Sequence, residues 1–109
     1  MPRPPRKPVS RHRLDRAARR YLERWFTTRA HLRTLLLRRV DTSLAAHGGD
    51  RDEATAWVDA VLDELVRAGL LDDRRFALDR ASLLHRRGNP TRLIRAKLAA
   101  KSVPSPLID

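Results

Sequence analysis

The chain has no cysteine among its 109 residues, which excludes disulfide bonds and thiolate metal ligands. Its longest strongly apolar run, Leu35 to Leu37, is far shorter than the ~20 residues that a membrane-spanning helix requires. No apolar segment follows the basic N-terminal residues, so a signal peptide is not expected. These absences predict a cytoplasmic protein with no membrane partner.

The sequence also lacks the residue patterns of an enzyme. Its four histidines are scattered, and no two of them are spaced i, i+4, as metal ligands on one helix face would be. There is no glycine-rich phosphate loop and no recognisable pairing of a nucleophile with a base. We therefore predict no catalytic residues, no metal site, no cofactor and no small-molecule substrate.

Positive charge is what the chain has in excess. It carries 24 basic residues, all but three of them arginine, against 13 acidic residues, which gives a net charge of +11. The acidic residues are concentrated between residues 41 and 73, and the stretches on both sides are strongly basic. This distribution predicts a partner of mixed charge, such as a protein–nucleic acid filament. The alternative explanation is a compositional drift towards arginine.

Apolar residues recur at helical spacing and predict an all-α protein with five helices. The first three are expected at about 14–26, 29–39 and 54–66. Residues 41–52 are interpreted as a mobile loop, although Thr42 to Ala46 could extend the second helix or add a short one. The fourth is expected from a cap at Asp72 or Asp73 to about Arg87. Asn89 is the expected cap of the fifth helix and Pro90 its first residue. Ser105 and Pro106 look like the start of a sixth.

The chain contains an internal repeat. A shift of 62 residues aligns the first two predicted helices with the fourth and fifth, and places Leu32 on Ile94 and Leu36 on Leu98. Because one such unit cannot bury its apolar face alone, repeats of this kind stack. The predicted organisation is a disordered basic tail over 1–13, a three-helix repeat over 14–71 and a second, incomplete repeat over 72–109.

The segment from Gly69 to Ala77, GLLDDRRFA, resembles the signature of the RecX family of RecA regulators. The flanks also resemble that family, through a Tyr-Leu pair and a capping Thr upstream and an arginine-rich helix downstream. Val40 and Ser102 stand where the family usually has Gly. The resemblance implies stacked three-helix units that bind RecA or the RecA–DNA filament, inhibit recombinase activity, and so regulate DNA recombination, DNA repair and the SOS response.

Two groups of residues are candidates for function or for structure. The basic candidates for binding a partner or nucleic acid are Arg16, Arg20, Arg24, Arg74, Arg75, Arg86, Arg87, Arg92 and Arg95. Contact with phosphates or with an acidic protein groove is the functional interpretation, and a solvated face is the alternative. The signature residues Gly69, Asp72, Asp73, Phe76 and Ala77 are predicted to be structural. Trp25 and Trp57 fall on apolar stripes, which favours core packing over base stacking.

Other kinds of binding protein are compatible with the same pattern. The short connections and basic second helices would suit a helix-turn-helix DNA-binding module or transcriptional regulator. A general helical scaffold for an acidic protein is a third possibility. Because no helix carries the mixture of Asn, Gln and Arg expected for reading bases, we predict only weak, non-specific affinity for DNA.

Overall fold

The computed structural model describes residues 7–108, and every regular element in that range is a helix. The helices are α1 (Arg11–Arg24), α2 (Arg29–His47), α3 (Arg51–Arg67), α4 (Asp73–Arg86), α5 (Thr91–Ala100) and the short α6 (Ser105–Ile108). The predicted all-α fold is confirmed. The molecule is elongated, with extents of 48 × 32 × 23 Å.

The first helix begins three residues earlier than the apolar spacing indicated. The hydroxyl of Ser10 accepts a hydrogen bond from the backbone N–H of Arg13 at 3.2 Å and caps α1. The N–H of Val9 donates to Oγ of Ser43 on α2 at 2.9 Å. The expected disorder is therefore wrong for residues 9–13, and the part of that prediction covering residues 1–6 lies outside the described residues.

The second helix is longer than predicted and includes most of the expected loop. Val40 and Ser43 are both buried, so the inward face of α2 continues past the predicted end at residue 39. The helix ends at Gly48, and Asp50 then caps α3 by accepting hydrogen bonds from two backbone N–H groups of its first turn. Only residues 48–50 separate the two helices.

Helices α1, α2 and α3 pack against one another and form the first unit. Its buried core consists of Leu14, Ala17, Ala18, Leu32, Leu36, Val40, Ala54, Val58, Val61, Leu62, Leu65 and Leu71. Trp57 is partly buried against this core, as expected, whereas Val66 is exposed. Gly69 adopts a φ of +75° after α3 and turns the chain so that Leu71 folds back onto the core while Leu70 stays exposed.

Helices α4, α5 and α6 form the second unit around a smaller core. Its buried residues are Phe76, Ala77, Leu84, Ile94, Leu98 and Val103. Pro90 takes the cap position of α5 and Asn89 does not, because the side-chain amide of Asn89 donates to the carbonyl oxygen of Leu84 at 2.9 Å instead. The N-cap residue is therefore Pro90 and not Asn89, and α5 begins at Thr91 and not at Pro90, so both predictions are wrong by one position.

The helix boundaries follow the internal repeat. A shift of 62 residues carries both ends of α1 onto the ends of α4, and the first residue of α2 onto the first residue of α5. The units then diverge, because α2 continues through Val40 whereas α5 ends before Ser102, which has a φ of +61°. After this turn Val103 returns to the second core, with its N–H donating to the carbonyl oxygen of Leu98 at 3.2 Å.

The two units meet at the short connection between α1 and α2. Thr28 is fully buried there; its hydroxyl caps α2 and also donates to the carbonyl oxygen of Lys101 at 3.0 Å. The N–H of Arg29 donates to Oδ1 of Asp73 at 2.8 Å. The rings of Phe26 and Phe76 lie 5.1 Å apart, centre to centre. This junction fixes the start of α4 and the end of α5 against the first unit.

Candidate interface of unpaired arginines

Three of the five acidic side chains of α3 form ion pairs within the first unit. Arg33 of α2 donates to Asp59 at 2.8 Å, and Arg29 pairs with Asp63 at 2.9 Å. From α1, Arg11 approaches Glu64 to 3.3 Å. The acidic stretch seen in the sequence thus contributes ion pairs that connect α3 to both neighbouring helices, and these pairs neutralise much of its charge.

The contact between Arg33 and Asp59 shifts the pKa of both side chains. The hydrogen bond from the Arg33 guanidinium lowers the pKa of the Asp59 carboxyl, and this effect outweighs partial desolvation, which acts in the opposite direction. The same hydrogen bond raises the pKa of Arg33. Both side chains remain well exposed, so the pair contributes only modestly to stability.

Most of the candidate arginines, in contrast, have no acidic partner. All nine are exposed in the structure. Within residues 7–108 no ion pair involves Arg16, Arg20, Arg24, Arg74, Arg86, Arg87, Arg92 or Arg95. Arg75 makes a long contact of 3.9 Å with Asp79 on its own helix. Unpaired guanidinium groups retain their full capacity to bind phosphate or carboxylate oxygens.

Three of these arginines form a row on α1. Arg16, Arg20 and Arg24 are spaced i, i+4, i+8, so they follow one side of the helix with about 6 Å of axial rise between neighbours. A regular row of cations along a rigid helix suits an extended polyanion. Asp15 and Glu23 are the acidic residues of α1; Asp15 pairs with Arg19, and Glu23 forms no ion pair with any residue between 7 and 108.

A second group lies on α4 and α5, where Arg74 and Arg95 border a groove of about 700 Å³. The groove runs between α4, α5 and α6, and its apolar lining includes Leu78, Ile94 and Leu107. Arg86 and Arg87 stand at the end of α4 and Arg92 in the first turn of α5. The nine predicted arginines thus fall into two groups. Three form the row on α1, and six are distributed along α4 and α5.

The signature segment lies at the boundary of the units. Asp72 accepts a hydrogen bond from the N–H of Arg75 and caps α4, and Asp73 accepts the bond from Arg29 described above. Phe76 and Ala77 are buried in the second core. Asp73 therefore joins the units directly, a role that only the three-dimensional packing reveals.

Two aromatic residues lie on the surface, one of them against expectation. Trp25 is 57% exposed and Phe26 is 55% exposed, so the core position predicted for Trp25 is wrong. The reason is that α1 ends at Arg24 and the backbone becomes extended at Trp25, which leaves the helical face. The signal available in the sequence was the Thr27-Thr28 pair, which starts α2 so soon afterwards that α1 must end before it.

The described residues contain no group of three or more His, Cys, Asp or Glu side chains placed to hold a metal ion. No helix in the same range is long and apolar enough to cross a membrane. The described surface is dominated by unpaired cations and a few exposed apolar side chains.

These features define a basic, helical-repeat protein with exposed arginines on both of its units. Over 107 residues the sequence is 47% identical to the regulatory protein RecX of Myxococcus xanthus (strain DK1622). This alignment covers 98% of the chain and 57% of the relative. The chain belongs to the RecX family, whose matched member is a regulatory protein. It spans little more than half of that relative's length. No family model and no solved structure matches the chain.

Proposed function

We propose that this chain binds RecA or the RecA–DNA filament and inhibits the recombinase, and thereby regulates DNA repair and recombination in the cytoplasm. The observation that supports this most directly is the set of unpaired arginines on both units, in a member of the RecX family. A recombinase filament offers repeated acidic and phosphate groups, and both helical units carry exposed arginines that can bind such groups.

The elongated shape supports the same proposal. A molecule 48 Å long presents its two basic groups to different parts of a filament, so the second contact forms at the high local concentration set by the first. Many modest contacts between exposed charges then add up to useful affinity, although each one alone contributes little. The proposed mode of action is attachment along the filament and obstruction of its movements, with no chemical step.

The test is RecA-dependent ATP hydrolysis on single-stranded DNA with increasing amounts of this chain. Hydrolysis should fall with wild-type protein, and the double variant Arg92→Glu with Arg95→Glu should require more protein for the same effect. If each exposed contact contributes about 0.5–1 kcal/mol, the shift is roughly fivefold to thirtyfold.

A matched control exists on α2. Arg38 and Arg39 are exposed and lie outside the candidate set, so Arg38→Glu with Arg39→Glu changes the net charge equally. Unequal effects of the two double variants would show that position matters, beyond total charge. No inhibition at tens of micromolar by a folded sample would refute the proposal. A preference for one duplex sequence would instead favour the helix-turn-helix alternative.

A further inference from the structure

We propose that Trp25 is a stacking platform for an unpaired base, which makes the junction between α1 and α2 a binding site for single-stranded nucleic acid. This deepens the proposed function, because a recombinase filament contains such a strand, but it is tested without the recombinase. The observation behind it is a large aromatic side chain left 57% exposed beside cations without partners.

Exposure of Trp25 has no structural explanation within the described residues. The side chain is absent from both buried cores, and its one ring contact is with Tyr21, at 6.5 Å between centroids and 37° between planes. Tyr21 itself is partly buried against the first core. One face or edge of the indole is thus supported, while more than half of its surface is available to a ligand.

The platform is also held rigidly, which lowers the conformational entropy lost on binding. Trp25 donates its backbone N–H to the carbonyl oxygen of Tyr21, and two residues later the chain is anchored by buried Thr27 and Thr28. The neighbouring Phe26 is fixed by the ring of Phe76. A flexible loop could bury its aromatic residues against the protein, but this connection holds them outside.

The positive charge near Trp25 indicates a ligand that carries phosphate groups. Arg24, the last residue of α1, directly precedes Trp25, and Arg20 stands one turn earlier, so the arginine row of α1 ends next to Trp25. Neither arginine has an acidic partner in the part of the chain that the structure describes. An aromatic face for bases beside guanidinium groups for phosphates is the combination that binds single strands without sequence preference. Paired bases in a duplex do not offer a free face to Trp25.

Fluorescence isolates this contact, because the chain has only two tryptophans. In a Trp57→Phe variant Trp25 is the sole tryptophan, and an oligothymidylate of about 12 nucleotides should quench its emission. In a Trp25→Phe variant only the partly buried Trp57 reports, and the same strand should leave its emission unchanged. A strand of equal length without bases should cause little quenching of Trp25, although it offers the same phosphates.

Affinity gives a second measurement, from the anisotropy of a labelled strand. Trp25→Ala should weaken binding of oligothymidylate at least about fivefold and affect the strand without bases much less. Val66→Ala is the control, because Val66 is 45% exposed on α3, outside both groups of candidate arginines, and its truncation should not change binding. Circular dichroism establishes that each variant retains its helices.

Equal affinity of wild type and Trp25→Ala for oligothymidylate, with no quenching of Trp25, would overturn the proposal. Quenching by poly-glutamate but not by the strand would also overturn it, and would assign the surface to an acidic protein. Both outcomes leave the effect on RecA to be judged separately, because a filament can be blocked without base stacking.

Discussion

Truncation of Phe76 should destabilise the second unit more than any other single change on α4. The side chain is only 3% exposed and is the largest member of a core with six buried residues. Replacing a buried Phe by Ala removes its transfer free energy and leaves a cavity, which together cost about 3–5 kcal/mol. The other buried side chains of this core are smaller than that of Phe76, so they cannot fill the cavity that the truncation leaves.

Part of the lost free energy of unfolding comes from a contact at the junction between the units. The ring of Phe26 lies 5.1 Å from that of Phe76, and an aromatic pair at this distance contributes about 0.5–1.5 kcal/mol beyond burial. A double-mutant cycle with Phe26→Ala separates this interaction from the cavity, because Phe26 is 55% exposed and leaves little void of its own.

The assay is urea unfolding followed by circular dichroism, together with amide hydrogen exchange. Exchange in α4 and α5 should accelerate first, because their core is the one that loses its largest side chain. Leu78→Ala on the same helix should change stability by about 0.5 kcal/mol or less, as expected for an exposed position. If Phe76→Ala unfolds at the same urea concentration as wild type, the description of this core is wrong.

Three further measurements follow from particular residues. Ser102→Gly should stabilise the chain by roughly 0.5–1 kcal/mol, seen as a higher melting temperature, because Ser102 holds a φ of +61° that glycine adopts freely; no increase would contradict this. Because Arg33 lowers the pKa of folded Asp59, their contact stabilises above the unfolded pKa of Asp59 and is lost as the pH falls through the lowered value. Urea unfolding of Asp59→Asn should therefore show less loss of stability in acid than wild type, and an identical pH profile would refute this. Duplex DNA should bind weakly and without sequence preference, with a log–log salt slope near −0.9 for each phosphate contact, and salt-independent binding would contradict the prediction.

The sequence alone predicted the helices because their stability comes from a periodic apolar face that can be read directly. It placed Leu32, Leu36 and Leu98 inward, as the structure has them. The start of α1 was missed although Ser10 provides a local capping signal. What the sequence does not show is the bond from Val9 to Ser43, 34 positions away, which holds the segment before the cap against α2. Contacts of this range follow only from the packed arrangement of helices.

The candidate site was predictable in its chemistry but not in its arrangement. Excess arginine is visible in the sequence, but the arginines that remain unpaired are known only after α3 has packed against α1 and α2. Trp25 was misplaced for a related reason. Its spacing continued the apolar stripe of α1, but the helix ended one residue earlier, so the periodic rule no longer applied.

The two hydrogen bonds of Thr28 couple the stabilities of the two units. One hydroxyl caps the start of α2 and bonds the end of α5, so neither unit can lose its structure there without removing a hydrogen bond from the other. This links the units thermodynamically although their cores are separate. Thr28→Val keeps the volume but removes both bonds, and should split a single melting transition into two, with the smaller second unit melting first.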